Sequence, residues 1–240
     1  MKPALFAEPV PLTAGRFGAV RLDNRVSFEV ARSLVAIPLG LVEITQACRD
    51  YPVVFSRQEP HTLVAITGFQ GEQNLFIDAR GQWEAERYIP AYLRRYPFML
   101  VPSPQDPAIA ALGIDARCKR LNRRRGDPLF DGTVYSSLSM RMLAFCQTFQ
   151  REYGRAAAFS AAMASRGLLD AAAITFPLPD RDPIALHGMV SLRERVIESL
   201  SAETLREFAE EGSLEIMVAL GLSKPNWLKL IERRQSQRRR

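Results

Sequence analysis

The side chains of this 240-residue chain that could act on a bond are few and dispersed. There are two histidines, His61 and His187. Neither stands in an HxH or HExxH pattern, the spacings that bring two imidazoles to one metal ion. Each reads as a structural or surface residue. The three cysteines, Cys48, Cys118 and Cys146, are odd in number, far apart and outside any CxxC. They signal neither a zinc knuckle nor a redox pair, and read as free thiols of a reducing compartment. No GxSxG elbow, Walker A loop or GxGxxG fingerprint occurs. Gly68-Phe69-Gln70-Gly71 holds two glycines but joins strand to strand, so it offers no helix N-terminus to a phosphate. Acidic residues are plentiful. General acid–base work needs two groups with separated pKa values, and Asp78, Glu84 and Glu86 read instead as turn and surface residues. No catalytic residue, metal or cofactor is predicted.

Two constellations remain as binding candidates. Trp83, Tyr88, Tyr92, Arg94 and Arg95, with Tyr96 and Phe98 beside them, could line a small-ligand pocket. The alternative is that the rings pack a helix on a sheet while the arginines face water or acidic partners. The second constellation is Arg117, Lys119, Arg120, Arg123, Arg124 and Arg125, a candidate contact for an acidic partner, a nucleic acid or an anionic lipid. Its alternative is a solvated loop. The net charge of +6 hides how charge is distributed. Residues 117–125 carry +6, and residues 224–240 carry another +6, so the rest of the chain carries −6. That favours two local anion-attracting patches over a general nucleic-acid surface.

The elements that must position these groups follow from periodicity. A chain of this length buries a sizeable core without disulfides or metal. It has no apolar run long enough to span a bilayer. Its N-terminus lacks a signal-peptide core, so a cytoplasmic location is the expectation. Residues 1–25, rich in Pro and Gly, read as an extended arm. Ser27–Val30 alternates as a strand, Thr45–Arg49 reads as a helix stopped before Pro52, and Val53–Phe55, Leu63–Thr67 and Asn74–Asp78 read as a three-stranded meander turning at Gln70–Glu72. Asp78 to Gly81 has the residue preference of a type I turn. Pro90 starts a short helix that Pro97 ends. Phe98–Val101 and the surroundings of Ile114 read as further strands.

Leu138, Met142, Phe145 and Phe149 recur at helical spacing, predicting a helix over 137–153 ended by Gly154, then a second helix over 156–168. Strands are expected at 172–176 and 185–190. Ser191 with Glu194 matches a capping box, and Ser201 with Thr204 a second cap. Leu214–Leu220 is apolar and reads as helix or strand. Ser223 is expected to cap a last helix carrying Trp227, with a basic flexible tail at 233–240. The fold class is α+β: an antiparallel or mixed sheet from about 26–120, packed with a helical C-terminal half, forming one unit over 26–232.

Several segments carry a family likeness. Tyr51-Pro52-Val53-Val54-Phe55, Asn74-Leu75-Phe76-Ile77-Asp78, Gly81-Gln82-Trp83, Tyr88-Ile89-Pro90-Ala91 and Arg94-Arg95-Tyr96-Pro97-Phe98 resemble the SapC family of bacterial proteins in order and spacing. Leu129-Phe130-Asp131, Arg166-Gly167-Leu168-Leu169 and the segment from Leu186 to Trp227 extend the resemblance. It implies a link to surface-layer protein and its secretion, and no established catalytic residue. Family members often carry a histidine shortly after the N-terminal Pro-Leu. Here Pro11-Leu12 is followed by Arg16 and Phe17, so any metal or acid–base role at that position is lost. The expected function is a non-catalytic binding or accessory protein with a protein partner. A small-ligand sensor or enzyme is the alternative.

Overall fold

The computed structural model describes residues 5–238 except positions 70, 72, 107, 171, 173, 179 and 180. The fold is α+β, and every strand pairing among the described residues is antiparallel. The chain divides into two compact units, each assembled from separated stretches: Met1–Arg32, Ile77–Glu84 and Ala91–Arg151 form one; Ser33–Phe76, Ala85–Pro90 and Glu152–Arg240 form the other. The sequence suggests a single unit over 26–232, with the N-terminal arm apart from it.

The first unit is built on a three-stranded sheet with Ala110–Asp115 at its centre, flanked by Pro9–Pro11 and Phe98–Pro102. A second small sheet places Arg21–Leu22 between Leu121–Asn122 and Asp127–Pro128. N-terminal residues therefore supply strands and core: Leu12, Phe17 and Leu22 are buried with Phe98, Leu112 and Ile114. The helix Ala91–Arg94 follows Pro90 as expected. The turn at Asp78 also forms, with the Gly81 N–H donating to the Asp78 carbonyl at 3.0 Å. Ser27–Val30 is not a strand. Its Ser27 Oγ accepts from the Glu29 N–H at 3.3 Å and the backbone enters a 3-10 turn at Glu29–Ala31. A side chain that bonds its own backbone offers the chain an alternative to a ladder.

The second unit holds a five-stranded sheet in the order Leu169–Asp170, Met189–Leu192, Val53–Ser56, Leu63–Ile66, Ala36–Pro38. The hairpin of Val53–Ser56 and Leu63–Ile66 is as the sequence indicates, and Leu63–Ile66 is buried at every residue. The third strand of the meander does not form. The Asn74 amide donates to the Leu34 carbonyl and its Oδ1 accepts from the Phe76 N–H, both near 3 Å, so side-chain bonds take the place of a ladder. Ala36–Pro38 pairs with Leu63–Ile66 instead. The turn expected at Gln70–Glu72 lies largely outside the described residues.

Sheet residues also come from beyond position 120. The expected strand at 185–190 is split by Gly188, at φ 75. Arg181–Leu186 pairs with Ile174–Leu178, and Met189–Leu192 joins the central sheet. Ser191 is therefore a strand residue and caps no helix.

Two further expectations are corrected. Gly154 does not end a helix; Ser137–Ser165 runs unbroken. A glycine inside a helix costs about 1 kcal/mol against alanine, and the Glu152–Arg155 bond at 3.0 Å spans this one. The tail is helical as far as Arg238, in the helix Asn226–Arg238. Arg233 lies 4.5 Å over the Phe76 ring and Arg234 5.2 Å over the Phe69 ring, contacts that extend its order by cation–π attraction.

Candidate functional site

The second unit ends in three helices, the last two of which border a groove, and local chemistry explains their breaks. Ser201 caps Ala202–Glu210 by accepting from the Thr204 N–H at 3.1 Å. Gly212, at φ 76, adopts the left-handed conformation between that helix and Ser213–Ser223, a turn that suits a residue without Cβ. Pro225 precedes Asn226–Arg238, where a missing N–H is harmless.

Ser223 does not cap the last helix. Its hydroxyl donates to the Leu220 carbonyl at 2.8 Å and accepts from the Val53 N–H at 3.2 Å. Asn226 is buried and donates to the carbonyls of Cys48 and Tyr51, at 2.8 and 3.2 Å. It thereby satisfies carbonyls at the end of the helix Ile44–Asp50, which lack partners within that helix.

Between the last two helices and the central strand lies a groove of about 630 Å³. Val53–Phe55, residues 191–198 and residues 217–228 contribute its walls. Its volume falls in the range of sites that hold a small molecule or a stretch of peptide. The helix Ser213–Ser223 carries Leu214, Ile216, Met217, Val218, Ala219, Leu220 and Leu222, so it is apolar around most of its circumference, with the exposed Glu215 as its one charged residue. Such a helix is ordinarily covered on most sides. Here Met217 and Leu220 are buried, while Val218 is 44 % and Leu222 73 % exposed. Leu228 on the next helix is 66 % exposed. The apolar lining of the groove thus continues onto its outer lip.

Charge at the lip is positive. Arg195 pairs with Glu198 through Nε at 2.8 Å. Arg193 is exposed and donates to the Gly167 carbonyl at 3.0 Å. Among the described residues no carboxylate pairs with Arg193 or Lys224. Arg195 has φ 53, a left-handed conformation that costs a non-glycine residue about 1–3 kcal/mol.

The residues singled out in the sequence fall elsewhere. In the first unit the Arg95 guanidinium is buried over three rings, 4.5 Å from Phe149, 4.6 Å from Tyr92 and 5.1 Å from Phe6. Tyr92 and Arg95 are therefore brought together. Arg94 is exposed, 5.4 Å over Phe145. Trp83 packs edge-on against Phe28 at 5.6 Å. Tyr88 belongs to the second unit, where it is clamped at three points. Its N–H donates to Asp50 Oδ2 and its hydroxyl to Glu43 Oε2, both at 2.8 Å, and its carbonyl accepts from the Tyr51 hydroxyl.

In the basic run, Arg117 approaches Glu8 at 3.6 Å. Arg120 Nε donates to the Asp23 carbonyl at 2.8 Å. Lys119, Arg123, Arg124 and Arg125 are exposed.

The remaining chemistry-bearing groups are set back from solvent or in turns. All three cysteines are buried. Burial pushes the Cys48 thiol up to about 12 and Cys146 up to about 11, and raises Cys118 as well. Each is thus held as the inert thiol. His61 is a turn residue at φ 47 whose Nδ1 lies 3.0 Å from the Ser56 carbonyl, and His187 is exposed.

Sequence reasoning missed the groove because its walls come from three separated stretches. The one available signal was the apolar run at Leu214–Leu220, interrupted only by Glu215. Compared with known proteins, residues 12–230 match the SapC family model. No curated protein and no solved structure matches.

Proposed function

This chain belongs to the SapC family, and from that membership and the shape of its groove we propose that it works by binding a partner protein and makes or breaks no bond itself. The observation that carries the reading is the outward face of Ser213–Ser223, with Val218 and Leu222 in solvent on a helix whose one charged residue is Glu215 in its first turn. Contiguous exposed apolar surface marks an interaction site. Val218, Leu222 and Leu228 line the groove and are also exposed to solvent. A segment lying across the groove would cover them.

The partner's chemistry follows from the lip. Arg193 and Lys224 suit carboxylates, so the occupant is an amphipathic segment with an apolar face and acidic flanks, the helix-in-groove mode of recognition. The setting we propose is cytoplasmic and connected with surface-layer protein secretion, a link that the family resemblance alone suggests.

Trp227 lies in the groove wall and serves as a reporter. Titration with a synthetic amphipathic helix, leucines on one face and glutamates on the other, should change its fluorescence. Leu222→Glu should abolish the change, and Leu222→Met should keep it. A fatty acid that fills the groove and is insensitive to Leu222→Glu would overturn the protein-partner reading.

A further inference from the structure

Three consecutive arginines, Arg123, Arg124 and Arg125, occupy a turn in the first unit that is held rigid before any ligand arrives. Asn122 organises it from one side. Its Oδ1 accepts from the N–H groups of Arg124 and Arg125, at 2.8 and 2.7 Å. Its amide donates to the carbonyls of Arg120 and Arg125, at 3.2 and 3.0 Å. Gly126 closes the turn from the other side at φ 93, so near the chain that a Cβ there would lie 1.9 Å from the Leu22 carbonyl oxygen. The strands on either side of the turn, Leu121–Asn122 and Asp127–Pro128, both pair with Arg21–Leu22.

The three side chains remain open to a ligand, with only Arg125 adding a small attraction to Asp23. All are exposed, and among the described residues none forms an ion pair. The nearby carboxylate of Asp23 is engaged by Arg25 at 2.7 Å, which holds it well below the usual carboxylate range. Asp127, next to the turn, likewise forms no ion pair among the described residues. Guanidinium groups match phosphate oxygens in planar, two-point fashion. A rigid backbone presenting three of them loses little further order on meeting phosphates.

We infer that the turn at Arg123–Arg125 docks the protein on an anionic lipid surface through the phosphates of its headgroups. The extent of the cationic surface favours a membrane plane over a nucleic acid. Nucleic-acid affinity comes from many phosphate contacts along a track and, for single strands, from stacking on aromatic platforms. Here three free cations are gathered on one turn, while the chain outside its two basic stretches carries −6. A polymer wrapped on such a body is repelled; a plane touched by one turn is not. Each arginine near an anionic surface contributes about 1 kcal/mol, a factor of about five in partitioning, or roughly a hundredfold for three.

The test is flotation of the full chain with vesicles of phosphatidylcholine alone, and with vesicles of phosphatidylcholine and phosphatidylglycerol in equal parts. The expected result is binding to the anionic vesicles only, weakened by added salt. The combined variant R123Q/R124Q/R125Q should lose it by roughly a hundredfold, with little change in the thermal melt because these side chains are exposed. A variant with Arg238, Arg239 and Arg240 replaced by Gln should bind as the parent does. Absence of binding, or loss in the tail variant instead of the turn variant, would overturn the proposal. So would competition by inorganic phosphate at the same concentration as the lipid headgroups, which would mark a site for the free ion. Tighter binding to duplex DNA than to the vesicles, with the same dependence on the three arginines, would reassign the turn to nucleic acid.

Discussion

The hydroxyl of Ser223 lies 3.2 Å from the backbone nitrogen of Val53 and accepts its hydrogen bond, across 170 positions of sequence. Both residues are buried. The bond fixes the end of one groove helix to the strand that forms the opposite wall. Ser223→Ala leaves a buried N–H unpaired, which costs about 1–3 kcal/mol. Urea unfolding should show that loss, and the fluorescence response of Trp227 to the amphipathic peptide should weaken with it. Unchanged stability would mean that the hydroxyl does not brace this wall.

The two faces of Ser213–Ser223 should respond oppositely to truncation. Met217 is 2 % exposed, and Met217→Ala should cost about 2–5 kcal/mol through lost contacts and a residual cavity. Leu222→Ala should stay within about 0.5 kcal/mol, as surface substitutions do, while reducing peptide binding. A denaturant series on the two variants checks both. A large stability loss for Leu222→Ala would show that this face is already covered within the protein.

These contrasts also mark what the sequence discloses. Strands whose residues are buried throughout, such as Leu63–Ile66, are legible because nothing local competes with the ladder. The run Asn74–Asp78 has the same apolar look, yet the Asn74 side chain takes over the backbone bonds a strand would need. Gly154 reads as a stop, but a single glycine is a weak penalty inside a helix of 29 residues. Arg95 is named by sequence as a candidate ligand contact, whereas its place beside Tyr92 is completed by Phe6 and Phe149, more than fifty positions away on either side. The groove is illegible for the same reason: Val53, Val196 and Met217 are neighbours only after the chain has folded.

Burial of the thiols makes stability fall at alkaline pH. Cys48 moves from an ordinary 9.0 up to about 12 and Cys146 up to about 11, both chiefly through burial. The unfolded chain loses these protons first, so above about pH 9 it binds fewer protons than the native state and is favoured as pH rises. Tyr96 and Tyr135 are raised by burial in the same direction. The denaturation midpoint should therefore decline from pH 9 towards 11. The combined variant with Cys48→Ala and Cys146→Ala should show a shallower decline. The native protein should also resist a thiol reagent until it unfolds; rapid modification of the folded chain would show that these cysteines are accessible.

Asp115 is the buried acceptor that ties N-terminal residues to the sheet of the first unit. Its Oδ1 accepts from the N–H groups of Glu8 and Arg117, and its Oδ2 accepts from the N–H of Ala7, all at 3.0 Å. The Tyr96 hydroxyl also reaches Oδ2, at 3.3 Å. Asp115→Ala removes every one of these acceptors and leaves backbone donors without them, at about 1–3 kcal/mol for each that stays buried. Asp115→Asn keeps one oxygen but sets an NH₂ against two of the four donors in either orientation. Its cost should lie between those of the parent and the alanine variant. The alanine variant should also free the strand Pro9–Pro11 from Ala110–Asp115. Limited proteolysis should then cut ahead of Leu12 in Asp115→Ala, more slowly in Asp115→Asn, and least in the parent. Equal cleavage in all three would mean that strand pairing, rather than this carboxylate, holds the N-terminal residues in place.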